Sequence, residues 1–139
     1  MNVSVWGFDV AIEGGRIAAS EATIREQVRE YERGERETFD LDVRVPDSFT
    51  GAVMDAMSAV PYGETRTYGE LAAEVNTSPV AVGQACGHNP VPLVIPCHRV
   101  VGADSLGGFS AGGDRARELK ETLLDHERQS SQSKLEAYR

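Results

Sequence analysis

Lysine, cysteine and long apolar runs are all scarce in this sequence. Lys120 and Lys134 are the only lysines among 14 basic residues, and 22 acidic residues give the chain a formal net charge of -8. This balance is typical of a heavily hydrated surface, as in proteins that work at high salt, and it argues against binding nucleic acid mainly by electrostatics. No apolar run approaches the roughly 18–20 residues needed to span a bilayer.

The N-terminus lacks the basic segment and the following apolar segment of a secretory signal. We therefore expect a soluble, cytoplasmic protein with no membrane partner. Its 139 residues, of which 40% are hydrophobic, suffice for one compact domain or for a small lobe attached to a larger one.

The two cysteines, Cys86 and Cys97, are too few for a disulfide framework, and neither belongs to a C-x-x-C pair. His88 and His98 lie near them, but the spacing of the four residues matches no common zinc pattern. Adjacent Cys97 and His98 side chains also rarely close on one ion. We predict no metal site, which leaves room for a single activated thiol.

Residues 1–47 predict a small antiparallel β lobe with one helix. Strand-like segments on both sides of Gly14–Gly15 predict a hairpin that turns at these glycines. Apolar residues at helical spacing, in a segment rich in Glu and Arg, predict a surface helix over 21–37. Alternation over 38–45 predicts a further strand, and Pro46–Asp47 marks the end of the lobe.

Residues 48–127 predict a mostly helical lobe. Thr67 and Glu70 have capping-box spacing at the start of a short helix, and Ser78 followed by Pro79 is the start signal of a second one. Two short helices joined by a tight turn are typical of a helix-turn-helix.

The last helix is predicted over residues 114–127, where Leu119, Leu123 and Leu124 share one face. Residues 128–139 predict a polar tail that frays or docks loosely. The predicted fold class is α/β, of the α+β kind. A small antiparallel β lobe with a helix precedes a mostly helical lobe that holds the helix-turn-helix and a buried cysteine loop.

Cys97 lies beside His98, a pairing that can activate a thiol. A cysteine attacks as its thiolate, and a nearby imidazole promotes that form. The imidazole needs an acid to orient it, and Glu127 or Asp125 could supply it if the last helix packs against the cysteine loop. On these residues alone, a buried structural cysteine beside an unrelated histidine remains the alternative.

Four stretches of the chain resemble one protein family. Residues 89–102, with a Pro-Cys-His-Arg-Val core, resemble the active-site segment of the O6-alkylguanine-DNA alkyltransferases, or methylated-DNA–protein-cysteine methyltransferases. Residues 60–72 are similar to the segment that enters the family's helix-turn-helix. Residues 106–110 and 123–127 resemble its substrate loop and final helix. Together the stretches extend over about residues 49–127, in the family's order.

The resemblance implies DNA repair by direct reversal of damage. A protein of this family flips an O6-alkylated guanine out of the duplex into a pocket. The Cys97 thiolate would attack the alkyl carbon and keep the alkyl group as a thioether, so each protein molecule would act once. The resemblance implies no cofactor, and we expect a monomer that acts on double-stranded DNA.

The resemblance also implies catalytic roles for individual residues. By family analogy His98 deprotonates Cys97 through a water, and Glu127 orients His98. Tyr68 donates to guanine N3 as charge develops there, and Asn89 braces the turn before the cysteine loop. The implied catalytic residues are Cys97, His98, Glu127, Tyr68 and Asn89.

Substrate and DNA contacts are implied in the same way. Val100 and the backbone of Val94 line and read the base, Ser110 contacts O6, and Phe109 closes the pocket wall. The implied substrate-binding residues are Val94, Val100, Phe109 and Ser110, and the implied DNA-binding residues are Thr67, Ser78, Val80, Ala81 and Arg99.

The recognition helix departs from the family pattern. Family members usually carry an arginine that enters the duplex and fills the space left by the flipped base, whereas Val80 stands at this position. No lysine or arginine occurs between Arg66 and Arg99. Val80 would therefore act as an apolar wedge. Phosphate contacts would fall to helix N-termini and to the hydroxyls of Thr67 and Ser78, so DNA affinity should depend only weakly on salt.

Two other functions remain open from the sequence. A sensor that binds alkylated DNA without repairing it would share most motifs, although the presence of Cys97 counts against it. A thiol or redox protein that has lost DNA binding would use Cys86 to resolve an oxidised Cys97. An exposed Cys86 with its Cα within about 7 Å of that of Cys97 would favour the redox function.

Overall fold

The computed structural model describes residues 1–108, 111 and 113–137, and the side chains of these residues as far as residue 130. The predicted site residues Phe109 and Ser110 lie outside the described residues. The elements in chain order are β1 (Asn2–Val5), β2 (Phe8–Ala11), α1 (Glu21–Glu32), α2 (Phe49–Ser58), β3 (Arg66–Thr67), α3 (Tyr68–Glu74), α4 (Pro79–Gly87), β4 (Val100–Val101) and α5 (Ala116–Ala137), with 3-10 turns at Gly14–Arg16, Cys97–Arg99 and Gly113–Arg115.

A small antiparallel sheet followed by a mostly helical lobe confirms the predicted fold class. Within the described part of the chain, no helix is long and apolar enough to cross a membrane.

The hairpin turns at a different place from the predicted one. β1 and β2 pair antiparallel in a register that sets Val5 opposite Phe8, so Trp6 and Gly7 form a two-residue loop. Both loop residues have positive φ, 46° and 81°, as a type I′ turn requires. Gly14–Arg16 instead forms a 3-10 turn. The prediction that the hairpin turns at the glycine pair is therefore wrong, because the strands have already paired before it.

The predicted strand over 38–45 is also wrong. The structure reduces it to one antiparallel bridge between Ile17 and Val43. The apolar residues of this segment, Phe39, Leu41, Val43 and Val45, pack against the core without forming a ladder. Their alternation therefore reports alternating burial of an extended chain, which a regular strand shares.

The start signals of the helix-turn-helix are confirmed. Thr67 Oγ1 accepts a hydrogen bond from the Glu70 backbone N–H at 3.1 Å, and the Glu70 carboxylate accepts one from the Thr67 N–H at 3.0 Å. Ser78 caps α4 by accepting from the Ala81 N–H at 3.2 Å, with Pro79 at the first helical position. These bonds fix where both helices begin.

A short parallel pairing joins the helix-turn-helix to the cysteine loop. β3 pairs with β4 so that Arg66 lies opposite Val100 and Thr67 lies opposite Val101. β4 directly follows the Cys97–Arg99 turn. The start of α3 is therefore fixed within a few residues of the predicted nucleophile.

Helix α5 is longer than predicted. It begins at Ala116 and continues to Ala137, so the expected end at Glu127 falls inside the helix. No glycine or proline occurs between Glu127 and Ala137 to stop it.

One hydrophobic cluster joins both lobes. It includes Ile24 and Val28 of α1, Met54 of α2, and Leu119 and Leu123 of α5, all of them fully buried. The N-terminal lobe therefore packs directly on the helices that carry the site.

Candidate active site

Cys97 lines a pocket of about 450 Å³. The thiol residue is 5% exposed and opens a 3-10 turn. The other lining residues are Tyr68, Pro79, Val80, Gly83, Cys86, Gly87 and Gly108. Helix α4 therefore forms one wall of the pocket, and its small residues leave space in front of the thiol.

Asn89 holds the loop that leads to Cys97. Its Nδ2 donates to the Ile95 carbonyl at 2.9 Å, and its Oδ1 accepts from the Val91 N–H at 3.1 Å. Leu93, between these partners, has a φ of 79°, which residues other than glycine rarely adopt. The two side-chain hydrogen bonds of Asn89 close a tight turn around this unusual residue.

The Glu127 carboxylate is the centre of a buried hydrogen-bond network. It accepts from His98 Nε2 at 2.8 Å and, through both of its oxygens, from Arg99 Nε at 2.8 Å and Nη2 at 3.0 Å. Tyr31 of α1 donates to it at 2.7 Å. The other candidate acid, Asp125, is exposed. Of the two acids that the sequence left open, Glu127 is therefore the one that contacts His98.

The protonation states of this network suit base catalysis. Burial lowers the pKa of His98 in spite of the hydrogen bond to Glu127. Burial alone would raise the pKa of Glu127, but the hydrogen bonds from His98 and Arg99 and the positive charge of Arg99 hold it well below its usual range. At pH 7 the imidazole is therefore neutral and the carboxylate is ionised.

The second ring nitrogen of His98 is available as a base. Because Nε2 donates its proton to Glu127, Nδ1 must be the acceptor of the neutral ring. Nδ1 is buried and forms no hydrogen bond within the described residues. The ring thus presents an unused acceptor next to Cys97 in the chain.

Lys120 is a site residue that the sequence analysis missed. It is fully buried, and its Nζ donates to the Val100 carbonyl at 2.7 Å and to the Gly108 carbonyl at 3.1 Å. Burial raises the pKa of Cys97, whereas a hydrogen bond from Asn89 and the positive charge of Lys120 act in the opposite direction. Burial lowers the pKa of Lys120 to about 8, so the amine is still mostly charged at pH 7.

The sequence did carry a signal for Lys120. This residue shares the face of α5 that carries the fully buried Leu119 and Leu123. A charged residue inside an apolar stripe is unusual unless it is paired. One of only two lysines in such a position could have been singled out.

Tyr68 borders the pocket and contacts the loop that follows β4. Its hydroxyl donates to the Gly108 carbonyl at 3.3 Å, and its ring centroid lies 5.9 Å from Lys120 Nζ. Gly107 has a φ of 80°, and a Cβ there would lie 2.6 Å from the tyrosine oxygen. Burial raises the pKa of Tyr68, so the phenol stays protonated and able to donate.

The predicted DNA contacts at the starts of α3 and α4 lie at the surface. Val80 is 71% exposed and also lines the pocket. Ser78 is exposed, and Thr67 and Ala81 are partly exposed. Because the hydroxyl oxygens of Thr67 and Ser78 act as cap acceptors, their protons remain free to be donated to a phosphate.

Arg99 requires a correction. The family resemblance implies that Arg99 contacts DNA, but the residue is only 7% exposed. Its guanidinium is bonded to Glu127 and, through Nη1, to the Val60 carbonyl at 2.9 Å. A buried guanidinium with these partners cannot reach a phosphate, so Arg99 belongs to the buried network.

Val94 and Val100 also lie elsewhere than predicted, since neither is among the described residues that line the pocket of Cys97. Val100 is fully buried in β4 and contributes the carbonyl that Lys120 binds. Val94 borders a second cavity of about 300 Å³, shared with Phe39 of the N-terminal lobe. The family resemblance implies that Val100 and the backbone of Val94 contact the base, whereas the structure places Val100 in the core and Val94 at this second cavity.

Although Cys86 lines the same pocket as Cys97, its surroundings disfavour a redox role. Its Sγ lies 3.4 Å from Met57 Sδ, and both cysteines are free. Burial raises the pKa of Cys86 to about 12, which leaves little thiolate to resolve an oxidised partner. Within the described residues, no group of three His, Cys, Asp or Glu side chains could hold a metal ion.

Comparisons with known proteins agree with one another. The family described as "6-O-methylguanine DNA methyltransferase, DNA binding domain" matches residues 48–129. A methylated-DNA–protein-cysteine methyltransferase of Archaeoglobus fulgidus is 39% identical, over 86% of this chain and 92% of that protein. One of the same name from Methanocaldococcus jannaschii is 47% identical, over 67% of this chain and 53% of that protein.

A solved structure shares the fold. Mycobacterium tuberculosis OGT in complex with DNA superposes with a TM-score of 0.71 at 37% identity, over 78% of this chain and 66% of that one. The chain thus spans nearly all of the Archaeoglobus relative but about half of the Methanocaldococcus one.

Proposed function

Because the chain belongs to the family of O6-methylguanine-DNA methyltransferases, we propose that it repairs DNA by transferring the alkyl group of an O6-alkylguanine to Cys97. The observation that carries this proposal is a pocket-lining thiol next in sequence to the buried His98, which bonds Glu127 at 2.8 Å. In the reaction an S–C bond forms and the alkyl C–O bond breaks. The electron pair goes to the guanine, which regains a proton, and the protein keeps a thioether.

His98 is the base of this mechanism. Its neutral Nδ1 takes the Cys97 proton through a bridging water, while Nε2 stays bonded to the ionised Glu127. The imidazolium that forms is stabilised by this carboxylate. Lys120 stabilises the thiolate before the attack, because its charge already opposes the effect of burial on the Cys97 pKa.

Tyr68 is the proton donor to guanine N3. Its hydroxyl is protonated at pH 7 and its partner, the Gly108 carbonyl, lies at 3.3 Å. A bond of this length is readily exchanged for one to the base. Phe109 remains the residue predicted to close the pocket wall, and Ser110 remains the predicted contact of O6.

DNA binding falls to the N-termini of the two helices of the helix-turn-helix. Ala81 and the hydroxyls of Thr67 and Ser78 face the backbone, and Val80 enters the stack as an apolar wedge. Residues 48–127 form the catalytic and DNA-binding domain in this proposal, residues 1–47 support it, and residues 128–139 are not required. We propose a monomer in the cytoplasm as the active unit.

Intact-protein mass spectrometry tests the proposal. The protein is incubated with a duplex that contains O6-methylguanine or, as the control, unmodified guanine. A gain of one methylene-equivalent mass, mapped to the Cys97 peptide and absent from Cys97→Ala, is expected only with the lesion. Mapping also separates Cys97 from Cys86. Folded protein that gains no mass would contradict the proposal.

A sensor of alkylated DNA is not favoured. Such a protein needs no nucleophile, whereas here Cys97 is accompanied by a base, an ionised acid and a buried lysine. Duplex binding without any mass gain would be the signature of a sensor in the same experiment.

A further inference from the structure

The N-terminal lobe contributes a side chain to the catalytic network. We infer that Tyr31 is a positioning residue for alkyl transfer, whose hydroxyl fixes the Glu127 carboxylate that orients His98. This inference rests on the proposed function of Cys97. Nothing in the sequence indicated it, because Tyr31 sits on the thin apolar stripe of a helix otherwise rich in charge.

The Tyr31 hydroxyl binds the same oxygen of Glu127 that His98 binds. Tyr31 Oη donates to Glu127 Oε2 at 2.7 Å, and the same oxygen accepts from His98 Nε2 at 2.8 Å. The tyrosine and the histidine therefore compete for one oxygen atom. Arg99 holds Oε1 at 2.8 Å, so rotation of the carboxylate would break bonds at both ends.

Tyr31 is itself held rigidly. Its ring stacks on Phe39 with centroids 5.5 Å apart, and Trp6 and Tyr62 complete the surrounding cluster. Its backbone carbonyl accepts from His126 Nε2 at 3.1 Å. Tyr31 is thus hydrogen-bonded to two consecutive residues of α5, His126 and Glu127. A fully buried side chain with this many contacts has one available orientation.

The charges around the network predict a sign for the effect. Glu127 is faced by His98 and Arg99 from the cysteine turn, by Tyr31 from α1 and by Tyr62 from the loop after α2. Lys120 of α5 and Arg99 also act on His98. Loss of the Tyr31 hydroxyl leaves Oε2 with fewer donors, so it attracts the His98 proton more strongly and makes the imidazole more basic.

Tyr31→Phe removes the hydroxyl and keeps the ring. The single-turnover rate on the methylated duplex should fall about tenfold, as expected for the loss of one bond to a charged group, with unchanged affinity for DNA. The pKa of His98, followed by NMR titration of its imidazole without DNA, should rise. Tyr62→Phe is the matched control, because it removes a neighbouring hydroxyl that does not bond Glu127, and it should change neither quantity.

A double substitution separates positioning from general support of the fold. In a Glu127→Gln background, Tyr31→Phe should slow the reaction little further, whereas a merely structural role would add its full effect. An unchanged rate and an unchanged His98 pKa in Tyr31→Phe would overturn the inference. If the wild-type protein gains no alkyl mass, the proposed function fails, and the NMR titration still decides whether Tyr31 controls His98.

Discussion

The two sides of the Cys97 pocket are built in opposite ways. Behind the thiol, His98 is fully buried and Glu127 accepts four hydrogen bonds from three side chains. In front of it, Val80 is 71% exposed, and the chain offers no lysine or arginine between Arg66 and Arg99. The densest hydrogen bonding is thus around His98, the residue that takes up a proton in the proposed mechanism. In the proposed function, the opposite side holds DNA by shape, backbone groups and hydroxyl groups.

Removal of the charge from Glu127 should break the buried side most severely. Glu127→Gln is expected to slow alkyl transfer at least about 100-fold, because His98 loses the partner that orients it and stabilises its cation. It should also lower the free energy of unfolding by about 3 kcal/mol, since Arg99 stays buried without its counter-charge. Single-turnover kinetics and thermal unfolding measure the two effects. The exposed Asp125→Asn serves as control, and an equal loss there would refute the assignment of the acid.

Acidification should disable the same side without any mutation. Burial lowers the pKa of His98, so the folded protein binds fewer protons at this ring than the unfolded chain does. Stability from this group is therefore present above about pH 6.5 and lost as the pH falls below it. The rate should fall by about tenfold per pH unit below the His98 pKa. The exposed His88 is the control: His88→Asn should leave this rate profile where it was.

Lys120 connects the two sides, and its loss should have an intermediate effect. Lys120→Met is expected to reduce the rate about tenfold at pH 7, because the thiolate loses a neighbouring cation. The pKa of Lys120 is lowered to about 8, so its charge is present below that pH. The ratio of wild-type to mutant rates should accordingly shrink above pH 8. Arg117→Met, which removes an exposed charge from the same helix, should behave like the wild type.

An arginine in place of Val80 should make the two sides of the pocket more alike, because it adds a charge to the DNA-facing side. Val80→Arg is expected to tighten duplex binding several-fold at low salt and to steepen the slope of log affinity against log salt by about 0.9. The wild-type slope should be shallow. Ala22→Arg adds the same charge at an exposed site on α1 outside the pocket lining and should leave the slope unchanged. A steep wild-type slope would show that basic residues elsewhere hold the DNA.

Local signals were predictable from the sequence, and long-range ones were not. The caps at Thr67 and Ser78 were found because a cap depends on residues three positions apart. The predicted hairpin turn is wrong because Gly14–Gly15 is a stronger local turn signal than Trp6–Gly7. The register of β1 against β2, which the local sequence does not reveal, places the turn at Trp6–Gly7. The polar tail predicted over 128–139 is helical as far as Ala137, because no glycine or proline ends α5 before that residue.

The buried network shows the same limit. The family resemblance pairs His98 with Glu127, and the structure confirms that contact, but the DNA contact implied for Arg99 is wrong because its guanidinium is buried. Its actual partners, Glu127 and the Val60 carbonyl, lie 28 and 39 positions away. Only the packed structure brings such groups together, and the same holds for Tyr31.

The bond between Tyr31 and Glu127 joins positions 96 residues apart, and this separation has a consequence for folding. Contacts that close so long a loop form only after both ends of the chain have come together. A chain that is still emerging during synthesis already contains Cys97 and His98, but Glu127 has not yet formed its hydrogen bonds to His98, Arg99 and Tyr31. The hydrogen-bond network that would activate the Cys97 thiol therefore forms last, when the rest of the fold is already in place.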